Sequence, residues 1–332
     1  MTRHPFLLLG LLTGLVACSE PQSIEAPSIR FNLDASRITV SGISAGAYMA
    51  GQYHLAHSSS VSGVGLIAGG PYWCAAGSMS QALGPCMQGG DMAIPTLADY
   101  ATALAGIGEI DELQHLSGDR VWVFHGADDS VIHPDVTAAA VDFYNRVHDN
   151  IDTTLVSDVA AAHGMPSIVG DQSCTDVASP FLNNCDYDAA GEMLKAITTI
   201  SEDRAEIQDG EIIAIAQAGA SDAAMLDEAL LFVPAACANG EACGLHIAFH
   251  GCQQSTEFVG DAFAAGAGYN EWASTNRLLV LYPQVAKSSM APLNPLGCWD
   301  WWGYTDKQYA TRQGLQITVI KELVDSLSGA LN

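Results

Sequence analysis

Apolar residues along this 332-residue chain fall into two kinds of segment that alternate from end to end. Short, nearly continuous apolar runs predict strands at residues 37–41, 61–70 (with the loop that follows), 120–124, 153–156, 211–215, 229–233, 245–249 and 278–282. Residues 120–124 are apolar after their first position, the pattern of a parallel strand covered on both faces. Longer mixed segments predict helices at 47–57, 96–105, 110–116, 135–147, 193–200, around Trp272, and at 315–327. The alternation predicts an α/β fold with a mostly parallel central sheet. No repeat, low-complexity tract or linker interrupts residues 28–332, so a single domain is expected there.

The strand at 37–41 runs into Gly42-Ile43-Ser44-Ala45-Gly46, and a helix follows directly. Strand, tight glycine turn and helix is the context in which a G-x-S-x-G serine becomes an exposed nucleophile. Such a serine needs a base, and the base needs an orienting carboxylate. The strand 120–124 ends in His125-Gly126-Ala127-Asp128-Asp129-Ser130-Val131, whose spacing selects Asp129 as the acid, with Asp128 the alternative. Among the ten histidines, His163 follows both serine and acid, in a loop of small residues. That is the serine–acid–histidine chain order of α/β hydrolases. His54 and His57 belong to the helix after the serine, His125 to the acid strand, and His246 and His250 to a later strand and its loop. His115, His133 and His148 sit in polar, exposed contexts, and His4 belongs to the leader.

An oxyanion needs backbone N–H donors. Ala45, directly after the serine, supplies one. The second normally comes from a His-Gly loop upstream of the nucleophile, and no such loop precedes Ser44. It occurs instead far downstream, as His250-Gly251-Cys252-Gln253-Gln254 after the strand 245–249, with Cys252 as donor. Strands 229–233 and 245–249 are expected to pair across a loop closed by Cys237 and Cys243. This displacement implies a circularly permuted α/β hydrolase.

These segments carry a resemblance. Ser41-Gly42-Ile43-Ser44-Ala45-Gly46, Gly69-Gly70-Pro71-Tyr72-Trp73-Cys74, the His250 loop, Gly268-Tyr269-Asn270-Glu271-Trp272-Ala273 and Asn294-Pro295-Leu296-Gly297-Cys298-Trp299-Asp300-Trp301-Trp302-Gly303-Tyr304 resemble, in order, the extracellular poly(3-hydroxybutyrate) depolymerases with a permuted (type 2) catalytic domain. The resemblance implies Ser44, Asp129 and His163 as triad and Ala45 and Cys252 as oxyanion donors. It also implies Asn294 and Trp299 as residues lining the monomer crevice, and a Cys252–Cys298 disulfide. Trp301 and Trp302 fit either the crevice wall or the core. The implied activity is hydrolysis of poly(3-hydroxybutyrate) or its oligomers. A general carboxylesterase for feruloyl, acetyl or short-chain esters is the alternative, and a catalytically dead binding module a more distant one. The longer depolymerases carry a separate polymer-adsorbing domain, for which residues after 305 leave only about one helix.

Composition narrows the partners. With 37 acidic against 12 basic residues the formal charge is −25, which argues against nucleic acid and anionic membrane surfaces and suits a neutral polyester. Arg3, an apolar core over residues 6–16 and Leu15-Val16-Ala17-Cys18 read as a lipoprotein-type signal at 1–17, with Cys18 lipidated in the outer membrane and 18–27 a tether. An ordinary cleaved signal peptide, giving a secreted or periplasmic protein, is the alternative. Eight cysteines remain, an even number in an exported chain, which predicts four disulfides. Proximity in sequence suggests Cys74–Cys86, Cys174–Cys185 and Cys237–Cys243, leaving Cys252 with Cys298, although other connectivities stay open. No metal-ligand spacing occurs, and the chemistry calls for no metal or organic cofactor.

Overall fold

The computed structural model describes Met1 and residues 30–328; the signal segment, Cys18 and the tether lie outside the described residues. Eleven strands are formed among them: β1 Leu33–Ile43, β2 Gly63–Ile67, β3 Arg120–Phe124, β4 Asp152–Val156, β5 Met165–Ser167, β6 Gln172–Ser173, β7 Leu182–Asn184, β8 Gly210–Ala216, β9 Glu228–Pro234, β10 Cys243–Phe249 and β11 Leu278–Tyr282. Eight of them make one sheet in the order β4-β3-β2-β1-β10-β11-β9-β8, and β5-β7-β6 make a small second sheet. The large sheet is parallel from β4 to β11, and β9 and β8 close it as an antiparallel pair.

Burial explains the order. Every residue of β10 and β11 is buried, as a central strand covered on both faces requires. The mixed pattern of β8 confines it to an edge. The pairing expected between residues 229–233 and 245–249 is therefore not made. β11 stands between β9 and β10, because β10 takes two apolar parallel neighbours, β1 and β11, while β9 takes β11 and β8. Short-range expectations also shift: the helix expected at 110–116 is only a 3-10 turn, Leu113–Leu116, and that expected at 193–200 is Ala189–Ile197.

The pairing that creates the site joins the first strand of the described chain to one from its C-terminal half. β1 and β10 run parallel, with Ser41 opposite Ala248 and Gly42 opposite Phe249. The turn after β1 and the loop after β10 thus emerge side by side. In a chain whose nucleophile strand comes first and whose oxyanion strand comes tenth, this neighbourhood is the structural content of the circular permutation. Inside the sheet, His246 ties the strands together, bonded through Nδ1 to Thr39 Oγ1 (2.9 Å) and through Nε2 to Ser41 Oγ (2.8 Å). Both histidine and serine are fully buried and no carboxylate joins them, so this serine–histidine contact is a bolt between strands. Burial lowers the His246 pKa to about 3, which keeps the ring neutral.

Among the described residues four disulfides are formed, Cys74–Cys86, Cys174–Cys185, Cys237–Cys243 and Cys252–Cys298. Among the described residues no helix is long and apolar enough to cross a membrane.

Candidate active site

Ser44 sits between the end of β1 and the helix Ala45–Ala56 with φ 56° and ψ −122°, a backbone that non-glycine residues rarely adopt. Two glycines make the turn possible. A Cβ on Gly42 would run into the Gly46 carbonyl, and one on Gly46 into the carbonyls of Phe249 and His250. The second contact is the telling one, because it lets the elbow press directly against the start of the loop that follows β10. The helix behind Ser44 is buried along its whole length, so the elbow rests on a rigid support.

Asp129 and His163 meet at the ends of different elements. β3 delivers Asp129, whose Oδ1 accepts from the N–H groups of Val131 (2.8 Å) and Ile132 (3.0 Å). Its Oδ2 bonds His163 Nδ1 at 2.8 Å, with the Asp129 side chain 1% exposed and that of His163 12% exposed. Burial alone would raise the Asp129 pKa. The bond and charge of His163 and the two backbone donors outweigh it and hold the carboxyl below its ordinary range. Asp128 is exposed. With Nδ1 engaged by Asp129, Nε2 of His163 is the nitrogen left for proton transfer. Ser44 and His163 line one cavity, and no hydrogen bond yet joins them, an arrangement common before substrate binds.

The two expected oxyanion donors lie beside this serine. Ala45 opens the helix, where backbone N–H groups have no intrahelical acceptor. In the His250 loop, Gly251 N donates to Gln254 Oε1 and Gln253 N to Leu296 O, both at 2.7 Å, leaving the N–H of Cys252 as the uncommitted donor of the turn. Cys252 is bonded to Cys298, which fixes this turn to the loop 294–298.

Two cavities open from Ser44. One, of ≈ 320 Å³, is walled by Tyr48, Met79, Leu83, Ile132, Leu293 and Trp301 with Trp302. The other, of ≈ 230 Å³, holds His163 with Val131, Val177, Phe181 and Gln253. A further cavity, of ≈ 790 Å³ around Arg30, Gln208 and Asn239, contains none of the candidate catalytic residues.

Trp299 is fully buried and packs edge-on against Phe249 at 5.2 Å, so it lies under the oxyanion loop rather than in the crevice wall. Trp301 takes that place, stacked on Tyr48 at 4.3 Å and 10°, with Trp302 edge-on to it at 5.6 Å. Asn294 borders the cavity, but its amide is spent internally. Nδ2 donates to Cys298 O (2.9 Å) and Tyr304 Oη (3.0 Å), and Oδ1 accepts from Cys298 N (2.9 Å). It shapes the loop, and both of its amide N–H bonds are already engaged, so neither is left to donate to an ester. Asp300 organises the next turn: its buried carboxylate accepts from the N–H groups of Gly303 (2.6 Å), Tyr304 (3.0 Å) and Thr305 (2.8 Å). The apolar wall residues Met79, Leu83, Met87, Leu293 and Leu296 were not foreseeable, since nothing in an isolated Met or Leu marks it as a binding residue.

The class that this fold and geometry define is the α/β hydrolase. No protein-family model matches the chain. It is 32% identical over 96% of its length to a polyhydroxybutyrate depolymerase of Talaromyces funiculosus, covering 98% of that protein. It is also 35% identical over 92% of its length to a poly(3-hydroxybutyrate) depolymerase of Delftia acidovorans, of which it spans 62%. The structure superposes with a TM-score of 0.85 on the PHB depolymerase of Penicillium funiculosum, at 31% identity, covering 92% of this chain and all of that one. The same score and coverage, at 30% identity, hold for a serine-to-alanine PHB depolymerase complexed with an R3HB trimer. The chain belongs to the poly(3-hydroxybutyrate) depolymerase family.

Proposed function

We propose that this protein is a serine esterase that hydrolyses the ester bonds of poly(3-hydroxybutyrate) or its oligomers. The observation that carries the reading is the junction at Ser44 of two open, largely apolar cavities. An extended, uncharged, branched aliphatic chain fits such a passage, and a net charge of −25 disfavours anionic polymers. The R3HB trimer held by a family member of the same fold supports this substrate class.

In the proposed reaction His163 Nε2 takes the proton of Ser44 Oγ, and Oγ attacks the ester carbonyl carbon. The N–H groups of Ala45 and Cys252 hold the oxyanion. Asp129, ionised and hydrogen-bonded to Nδ1, stabilises the imidazolium. The carbon–oxygen bond to the alcohol breaks as His163 returns its proton to the leaving oxygen. His163 lines only the smaller cavity, so the alcohol departs on that side and the acyl unit stays on the side of Trp301 and Trp302. Water, activated by the same histidine, then releases the 3-hydroxyacyl product and restores Ser44. The test is turnover of a 3-hydroxybutyrate trimer against that of a chromogenic acetyl ester. Cleavage of the trimer, abolished in Ser44→Ala, is expected; turnover of the acetyl ester with an untouched trimer contradicts the polyester reading in favour of a general carboxylesterase.

Four disulfides require an oxidising compartment, so the protein is exported. We infer in addition that Cys18 carries a lipid anchor to the outer membrane, because Leu15-Val16-Ala17-Cys18 resembles the bacterial lipobox. Metabolic labelling with a radioactive fatty acid is expected to mark the wild type and not Cys18→Ser; equal absence of label from both would exclude the anchor.

A further inference from the structure

We infer that Met87 and Leu296 form a waist that decides which 3-hydroxyacyl units pass Ser44, an inference that rests on the polyester reading above. Among the described residues just four line both cavities: Ser44, Cys252, Met87 and Leu296. The first two are the proposed nucleophile and oxyanion donor, so the scissile ester lies where the cavities meet. The other two are the side chains that bound it there.

The chemistry of the substrate puts its variable group at the same point. In a 3-hydroxyalkanoate ester the carbon bonded to the ester oxygen carries the side group: methyl in 3-hydroxybutyrate, propyl in 3-hydroxyhexanoate. When the carbonyl carbon reaches Ser44 Oγ, that branched carbon is two bonds away and still within the waist. Each added methylene then extends toward Met87 or Leu296.

The backbone on both sides is held, so side-chain length sets the width. Met87 lies in the short helix Pro85–Gln88, next to Cys86, which is bonded to Cys74. Its carbonyl accepts from His133 N at 2.8 Å. Leu296 lies in the loop that Asn294 organises and that Cys298 fastens to Cys252, and its carbonyl accepts from Gln253 N at 2.7 Å. Leu296 is 46% exposed, and Met87 is half-buried at the edge of the core, so neither fills the core interior. Shortening either leaves a wider gap rather than a collapsed one.

The test is the ratio of kcat/KM for a 3-hydroxyhexanoate trimer to that for a 3-hydroxybutyrate trimer, in wild type, Met87→Ala, Leu296→Ala and Leu296→Phe. Taken on one preparation, the ratio cancels the fraction of active enzyme, so partial unfolding does not move it. Each alanine variant is expected to raise the ratio by about tenfold, the scale of discrimination an apolar pocket obtains from one or two methylenes. Leu296→Phe is expected to lower it. Ratios unchanged in all three variants, with both trimers still cleaved by the wild type, overturn the waist alone. Cleavage of neither trimer by the wild type overturns the polyester reading and the waist with it.

Discussion

Among single residues, a few atoms decide the chemistry. Asp128 and Asp129 are adjacent and chemically identical, yet only Asp129 has its carboxylate turned inward, against His163 Nδ1 and two backbone N–H groups. Asp129→Asn should therefore lower kcat by roughly 10⁴, the scale seen when a triad carboxylate is neutralised, and Asp128→Asn should leave it close to wild type. Steady-state kinetics on a soluble ester would measure both. The preference for Asp129 is legible in the sequence because the spacing from the end of β3 is local. The role of Trp299 is not, because a loop tryptophan's direction depends on what packs around it. Here Phe249 and His250 draw it under the oxyanion loop, at 5.2 and 5.3 Å between ring centroids, and Trp301 two residues later faces the cavity. Trp301→Ala should raise KM for 3-hydroxybutyrate trimer more than it lowers kcat, since its ring contacts the acyl side without reaching the reacting atoms. A change confined to kcat would count against that placement.

At the element scale the active site is a product of strand order. Strands such as Arg120–Phe124 and Leu278–Tyr282 are readable as continuous apolar runs, and they form with those bounds. The downstream His-Gly loop likewise signals that the oxyanion strand comes late in the chain. Which strands become neighbours is a non-local question. The sequence separation of β9 and β10 is small, but burial puts the wholly apolar β11 between them. The contact that makes the permuted arrangement work is Gly46 against the carbonyls of Phe249 and His250. Gly46→Ala should destabilise the protein by about 1–3 kcal/mol or more, because the obstructing atoms are backbone and cannot swing aside. Chemical denaturation reads that loss directly. A variant as stable as wild type would mean that the elbow and the β10 loop are less tightly apposed.

At the scale of the whole molecule two properties follow from what is buried and what is not. His57, His246 and His250 are buried, and burial lowers their pKa values from 6.5 to about 4, about 3 and about 4 respectively. The unfolded chain binds protons at these positions from about pH 6.5 downward, while the folded protein does not until near pH 4. Their contribution to stability is therefore complete above pH 6.5 and is lost as the pH falls. The slope is at most about 1.4 kcal/mol per pH unit for each histidine. Unfolding free energies measured between pH 7 and 4 should decline accordingly, and less steeply in His246→Gln; a flat profile would contradict the neutral buried rings. On the outside, Met79, Leu83, Leu293 and Leu296 are exposed apolar side chains bordering the larger cavity, and Met290, 77% exposed, is in the same loop as Leu293. Such a rim suits a hydrophobic solid. Met290→Ser should reduce adsorption to a polyester film, measured by depletion from solution. The claim on which everything else depends is that Ser44 cleaves the polyester itself. The direct measurement is release of soluble 3-hydroxybutyrate products from an amorphous poly(3-hydroxybutyrate) film by wild type and Ser44→Ala. Products are expected from the wild type and none from the variant. A film left intact by a wild-type preparation that turns over short chromogenic esters would contradict it.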